Sequence, residues 1–172
     1  NVFHMDDFFL PFELRTPGRF AEPGGNVHYE RFREQVLTGL LSGAPFSYGA
    51  FDCHTGQTRA VRVAPRPVTL IEGSYALHPA FDSAYARLSA VRALLTVDAE
   101  EQLRRIRRRN GEAMLRRFQN EWIPLEIRYF EAYHKTREDQ LILRSCRHAE
   151  DREPSETVPP EDGRTPKGDK QP

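Results

Sequence analysis

Three short apolar runs in this 172-residue chain each close on an acidic residue, and that arrangement limits the folds open to it. Val2–Met5 runs into Asp6 and Asp7, Val68–Ile71 into Glu72 and Gly73, and Ala93–Val97 into Asp98. Their length and flanks predict strands, although periodicity alone leaves a piece of buried helix open for the first. Runs that are continuously apolar, rather than alternating, belong to strands covered on both faces, as in a parallel sheet. Ligands of open parallel sheets bind beyond the carboxyl ends of the strands, and these acids are delivered there. Asp98 precedes Glu101 by three residues, the spacing of an N-terminal capping pair, so it is assigned to the start of a helix over Ala99–Arg109. Asp6 and Glu72 follow no capping pattern and are the candidate functional acids.

Helices are predicted between the runs. From Tyr29 to Leu41 the apolar positions Tyr29, Phe32, Val36, Leu37, Leu40 and Leu41 keep a 3.6-residue period, with Glu30, Arg31, Arg33 and Glu34 on the other face and Gly43 as the stop. A second helical stretch starts near Glu112, and a third covers Pro124–Lys135, where Pro124 suits a first turn. Pro11–Gly25 holds three prolines and three glycines and reads as a surface connection. Pro45–Gly56 reads as an irregular aromatic segment, Arg59–Val63 as a short edge strand and Leu141–Leu143 as the last strand. The result is one α/β domain over residues 1–148 with a mostly parallel sheet. In the tail, residues 149–172, the stretch from Glu150 to Pro172 holds one aliphatic residue, Val158, among prolines and charges. Such a segment cannot bury enough surface to offset its ordering entropy, so a disordered tail is expected.

Composition excludes several function classes. The formal net charge is zero, which gives no overall field for nucleic acid or an anionic membrane. The run Arg104–Arg109 is answered by Glu100 and Glu101 four residues before Arg104 and Arg105, and Glu112 likewise precedes Arg116, so these read as helix-surface pairs. No apolar run approaches the ~18 residues of a membrane span. Cys53 and Cys146 form neither a CxxC pair nor a metal-ligand pattern, and a reducing cytoplasm with free thiols is expected. His4 reads as a core residue or a partner of a site residue rather than a metal ligand. Trp122, Tyr129, Phe130 and Tyr133 read as core.

Taken together, the motifs resemble the uridine kinase and phosphoribulokinase branch of P-loop kinases, over residues 2 to about 144. Asp6-Asp7-Phe8-Phe9 resembles that family's Asp-Ser-Phe-Tyr signature, and Leu70-Ile71-Glu72-Gly73 its strand ending in Glu-Gly. Phe51-Asp52-Cys53-His54 resembles the Phe-x-x-His piece of the nucleoside pocket, with Tyr48 near the family's tyrosine. Val97-Asp98 followed by Arg105 to Arg109 resembles the turn and arginine-bearing helix that lead into the lid. A closer look-alike is the group of bacterial uridine-kinase-like proteins with Met-Asp-Asp-Phe-Phe-Leu-Pro, Gly-Gly-Asn and Glu-Gly-Ser-Tyr. The resemblance implies a three-layer P-loop NTPase-like domain. It also implies a cytoplasmic kinase that uses ATP and Mg²⁺ to phosphorylate a hydroxyl of a small metabolite, a pyrimidine nucleoside first. Asp6 would be the general base, Glu72 and Asp7 the Mg²⁺ ligands, and Arg105 and Arg109 the lid groups that reach phosphate. Tyr48, Phe51, His54 and His28 would line the acceptor pocket. Neither nucleic acid nor a membrane is implied as a partner, and the oligomeric state is left open, a homo-oligomer included.

Three features depart from the family pattern. His28 stands where nucleoside kinases carry an Asp for the ribose hydroxyls, and Gly56 where they carry an Arg. The phosphate-binding loop GxxxxGK[ST] needs a lysine after a first strand, yet no lysine precedes Lys135. The expectation is therefore a domain lacking its first strand, P-loop and first helix, impaired in ATP binding as it stands. The alternatives are a non-catalytic relative that binds a metabolite or a partner, and a kinase of another acceptor, such as pantothenate or a sugar phosphate.

Overall fold

The computed structural model describes residues 1–145; the predicted tail and Cys146 lie outside them. Strand β1, Val2–His4, pairs in parallel with β4, Leu70–Glu72, in a register that sets Phe3 against Ile71 and His4 against Glu72. Strand β5, Ala93–Thr96, pairs in parallel with β6, Leu141–Arg144. The third pair is antiparallel, a hairpin of β2, Phe46–Asp52, and β3, Gln57–Val63. It corrects the expectation that Pro45–Gly56 is irregular. Every second residue from Phe46 to Ala50 packs on the core, and Phe51 is buried as well, so the segment has the inward face a strand needs.

Between these strands lie α1, Pro17–Ala21, and a helix built from α2, Tyr29–Phe32, a π-helical turn over Arg33–Leu37, and α3, Thr38–Ser42. Gly43 ends it in a left-handed conformation, as the sequence predicts. After β4 come α4, Asp82–Arg87, then α5, Ala99–Arg117, and α6, Ile123–Tyr133, with a π-helical turn over Phe118–Trp122. Gly111 interrupts α5 with φ 80° and ψ 172°, a conformation that L side chains rarely adopt. The separate helical stretch read from Glu112 onward therefore exists, joined to its neighbours through this break.

The apolar stretch read as Val2–Met5 leaves the sheet at His4 and tightens into a 3₁₀ turn, Met5–Phe8. With about three residues per turn, Met5 and Phe8 fall on one side of it. Both are buried, Met5 to 1% and Phe8 to 0% exposure. Phe8 packs edge-on against Phe32 at 4.9 Å and stacks on Tyr48 at 5.4 Å. Burial of these two side chains turns the intervening Asp6 and Asp7 outward beyond the end of β1. Gly73 lets the end of β4 pass alongside: its φ is 124°, and a Cβ there would stand 2.8 Å from that of Met5.

Two predicted details are corrected. Asp98 occupies the N-cap position of α5 but makes no side-chain cap bond; its Oδ1 accepts from Arg144 at 2.7 Å instead. An arginine on the neighbouring strand competes successfully for that carboxylate. Glu112 meets Arg107 at 2.8 Å, across the break at Gly111, rather than Arg116.

Candidate functional site

The carboxyl ends of the parallel pair β1 and β4 bring Asp6, Asp7 and Glu72 to one edge. Asp6 is open to solvent, yet protein crowds around it closely enough for desolvation to be the largest cause lifting its carboxyl above the usual range. The negative charges of Glu72 and Asp7 push in the same direction, and His4 and Arg109 pull against them. Glu72 is ion-paired with His4, its partner across the two strands. That contact raises the pKa of the imidazole above its ordinary value, the hydrogen bond to Glu72 being the largest cause. His4 is thus an exposed partner of a site acid and not a core residue.

Asp7 is turned the other way. Its Oδ2 accepts from the Tyr48 hydroxyl at 3.0 Å, and its backbone carbonyl accepts from Arg31 at 3.0 Å. Arg31 also donates to the Gly49 carbonyl at 2.6 Å and lies over the Phe8 ring at 4.9 Å. One helix residue therefore ties strand β2 to the turn that carries the acids. The sequence pattern places Arg31 on the solvent face; its length lets it reach back inside.

Phe51 is buried at 5% exposure and meets Phe12 edge-on at 6.0 Å. His54 lies exposed in the hairpin turn, where its backbone N–H bonds to Asp52. His28 caps α2: its Nδ1 accepts from the Arg31 N–H at 3.4 Å and lies 3.2 Å from Glu30. These contacts engage Nδ1 at the helix end. Of the lid arginines, Arg105 bonds to buried Glu101 at 2.7 Å and to Ser145 at 3.0 Å. Arg109 is exposed, and it is the one whose charge acts on Asp6.

A cavity of about 330 Å³ opens near Asn1, Phe3, Tyr48, Val61 and Arg66, and none of the acids lines it. Among the described residues no three His, Cys, Asp or Glu side chains converge as a metal cage. A Mg²⁺ site needs no such cage, because this ion keeps waters and substrate phosphates and takes only one or two carboxylates from protein. Of the two carboxylates that the sequence resemblance assigns to Mg²⁺, Glu72 is paired with His4 and Asp7 accepts from Tyr48.

No protein-family model and no curated protein matches the sequence. Solved structures do match. One, described as a "putative fructose transport system kinase" from Silicibacter sp. TM1040, superposes with a TM-score of 0.61 at 23% identity, over 85% of this chain and 74% of that one. Another, a "possible uridine kinase" from Bacillus stearothermophilus, superposes with a TM-score of 0.50 at 18% identity, over 83% and 70% of the two chains. The chain shares its fold with these two structures.

Within this fold, one residue at the acid edge has no counterpart among the candidates read from the sequence. Glu126, on α6, accepts a hydrogen bond from Ser74 at 2.8 Å, two residues beyond Glu72. Burial lifts its carboxyl above the usual range, and the charge of Asp6 adds to the shift. Its only signal in the sequence is its place after Pro124-Leu125, which indicates a helix turn and nothing about a site. No described helix is long and apolar enough to cross a membrane.

Proposed function

We propose that the domain serves ATP- and Mg²⁺-dependent phosphoryl transfer to a hydroxyl of a small metabolite, with a pyrimidine nucleoside as the first acceptor to test. The observation that carries this reading is Asp6: an accessible carboxylate with a raised pKa at the end of β1, flanked by two further acids, in a fold shared with kinases. A general base works best when its pKa lies nearer the operating pH than that of an ordinary carboxylate.

In the proposed step the acceptor oxygen forms a bond to the γ-phosphorus while the bond from that phosphorus to the β,γ-bridging oxygen breaks. The acceptor proton passes to Asp6, and ADP leaves. Glu72 and Asp7 would hold Mg²⁺, which neutralises charge on the phosphates when bound. Arg109 would add positive charge on the same side. Tyr48 fixes Asp7, and His4 orients Glu72.

Phosphoryl transfer in this fold also needs a phosphate-binding loop, which these 172 residues do not contain. The proposal is therefore for the protein in which this domain is joined to one. The test is to express the full reading frame that encodes the chain and assay ATP-dependent phosphorylation of nucleosides, hexoses, pantothenate and sugar phosphates. Fructose belongs in the panel because of the name given to one structural neighbour. Turnover of one acceptor that depends on Mg²⁺ and on Asp6 supports the reading. A full reading frame without a Gly-rich loop ending in Lys-Ser or Lys-Thr overturns it, in favour of a non-catalytic binding domain.

A further inference from the structure

Helix α6 brings a further carboxylate to the segment that follows Glu72. Glu126 reaches from this helix to Ser74 Oγ at 2.8 Å, 52 positions away in sequence, in the segment that follows Glu72. The next residue of that segment, Tyr75, packs its ring at 4.9 Å from Tyr129, one helical turn after Glu126. The Tyr75 hydroxyl feels the Asn26 side chain and the charges of both Glu126 and Asp6, and Glu126 in turn feels Asp6. Three polar groups from three parts of the chain thus lie near the candidate base: the Asn26 amide, the Tyr75 phenol and the Glu126 carboxylate.

We propose that Glu126 is an acceptor-recognition residue, whose carboxylate receives a hydroxyl of the acceptor next to the one that Asp6 deprotonates. The proposal rests on the reading of the Asp6 edge as the acceptor site. Ionised carboxylates accept hydrogen bonds and donate none, so a paired arrangement of them suits neutral compounds carrying neighbouring hydroxyls. It disfavours acceptors that bring their own phosphate or carboxylate, because like charges would meet at short range. The Ser74 hydroxyl occupies one oxygen of Glu126 and sets its orientation, leaving the second for a ligand. The acceptor class that follows is a neutral polyol, a nucleoside or a free sugar, and not a sugar phosphate or pantothenate.

The experiment is calorimetric binding of uridine, cytidine, fructose, fructose 6-phosphate and pantothenate to the full-length protein, its Glu126→Gln variant and its Ser74→Ala variant. Wild type is expected to bind a neutral polyol. Glu126→Gln should weaken that binding on the order of 10- to 100-fold while leaving ATP binding and Tm unchanged. The same variant should narrow the preference for neutral over anionic compounds, which a purely structural role for Glu126 would not do. Ser74→Ala, which removes a single hydroxyl and keeps the carboxylate, should weaken polyol binding only several-fold. Unchanged polyol affinity in Glu126→Gln overturns the proposal, and so does a wild type that binds only the anionic compounds. Polyol binding that depends on Glu126 without any ATP-dependent turnover would sink the kinase reading and leave this one standing.

Discussion

Tyr48 and Asp7, 41 positions apart, are joined by a hydrogen bond of 3.0 Å from the phenol to the carboxylate. It gives two neighbouring acids of one turn different surroundings. Asp7 is anchored to strand β2, and Asp6 faces outward without such an anchor. Burial first, and then Asp7, pushes the Tyr48 phenol up to about 12, so it stays a donor throughout the physiological range.

Tyr48→Phe should therefore cost stability by about 1.5–3 kcal/mol, the range for a hydrogen bond to a charged group, read by urea unfolding. The ring still stacks on Phe8, so the fold should survive. A raised tyrosine pKa means that the folded state holds its proton more tightly. The contribution of Tyr48 is complete below pH 10 and fades as pH climbs toward 12; the variant should lose that alkaline slope.

At Asp6 the sign is reversed with respect to function. The raised carboxyl means that the ionised form is disfavoured in the folded protein, so stability falls as pH rises past its ordinary value and stays lower at neutral pH. Asp6→Asn should then keep or raise Tm. In the full-length enzyme it should lower turnover by about 10²- to 10⁴-fold, the usual span for a general base, with ATP binding intact. A variant with near-normal turnover would remove Asp6 from the base role.

The His4–Glu72 pair predicts a titration that can be followed by NMR. In the wild type the His4 ring should titrate above 6.5, and in Glu72→Gln it should fall back toward that value. Any stability from the pair is present below 6.5 and lost as pH rises through the elevated folded value. It should be small, about 0–1 kcal/mol, because both side chains are half exposed. In a kinase assay the same variant should need more Mg²⁺ for half-maximal rate.

His78 should make the domain acid-sensitive. The ring is 4% exposed and stacks 4.3 Å from Tyr29, with Phe81, Tyr129 and Tyr133 around it. Its Nδ1 accepts from the Ala80 N–H, and burial lowers its pKa to about 4 despite the nearby Glu22, Glu30 and Asp82, with Arg19 opposing them. Between pH 6.5 and about 4 the unfolded chain takes up a proton that the folded one refuses. Stability should fall across that window by about 3 kcal/mol. His78→Asn keeps an acceptor for Ala80 and should flatten this part of the pH–stability curve, whatever it does to the midpoint.

The parallel strands and the long helices were legible because each announces itself locally, by an apolar run or a 3.6-residue period. Asp6 and Glu72 were legible for the same reason, since an acid closing an apolar run lies at a strand end. Strand β2 was not, because its alternation breaks where Ala50 and Phe51 are both buried, and part of its pairing is supplied from a helix: Arg31 takes the Gly49 carbonyl and Gln35 its N–H. Long-range side-chain reach leaves no periodic trace. Likewise the capping role of His28 depends on a φ/ψ choice at one residue, the loss of Asp98 as a cap on a strand 46 positions away, and Glu126 on a contact with Ser74.

The break at Gly111 makes a knee of what would otherwise be one stiff rod of roughly 28 Å. The part beyond it runs on into α6, which Tyr129 locks into the aromatic core, so that side acts as the thigh and the segment before Gly111 as the shin. In a jointed limb, travel grows with distance from the joint. Glu101 lies ten residues out, roughly 15 Å along the axis, whereas Arg109 lies two residues out, roughly 3 Å. The arginine whose charge already reaches Asp6 is thus the one that flexing at Gly111 displaces least. Arg105, farther out, is held both to Glu101 and to Ser145 beyond β6.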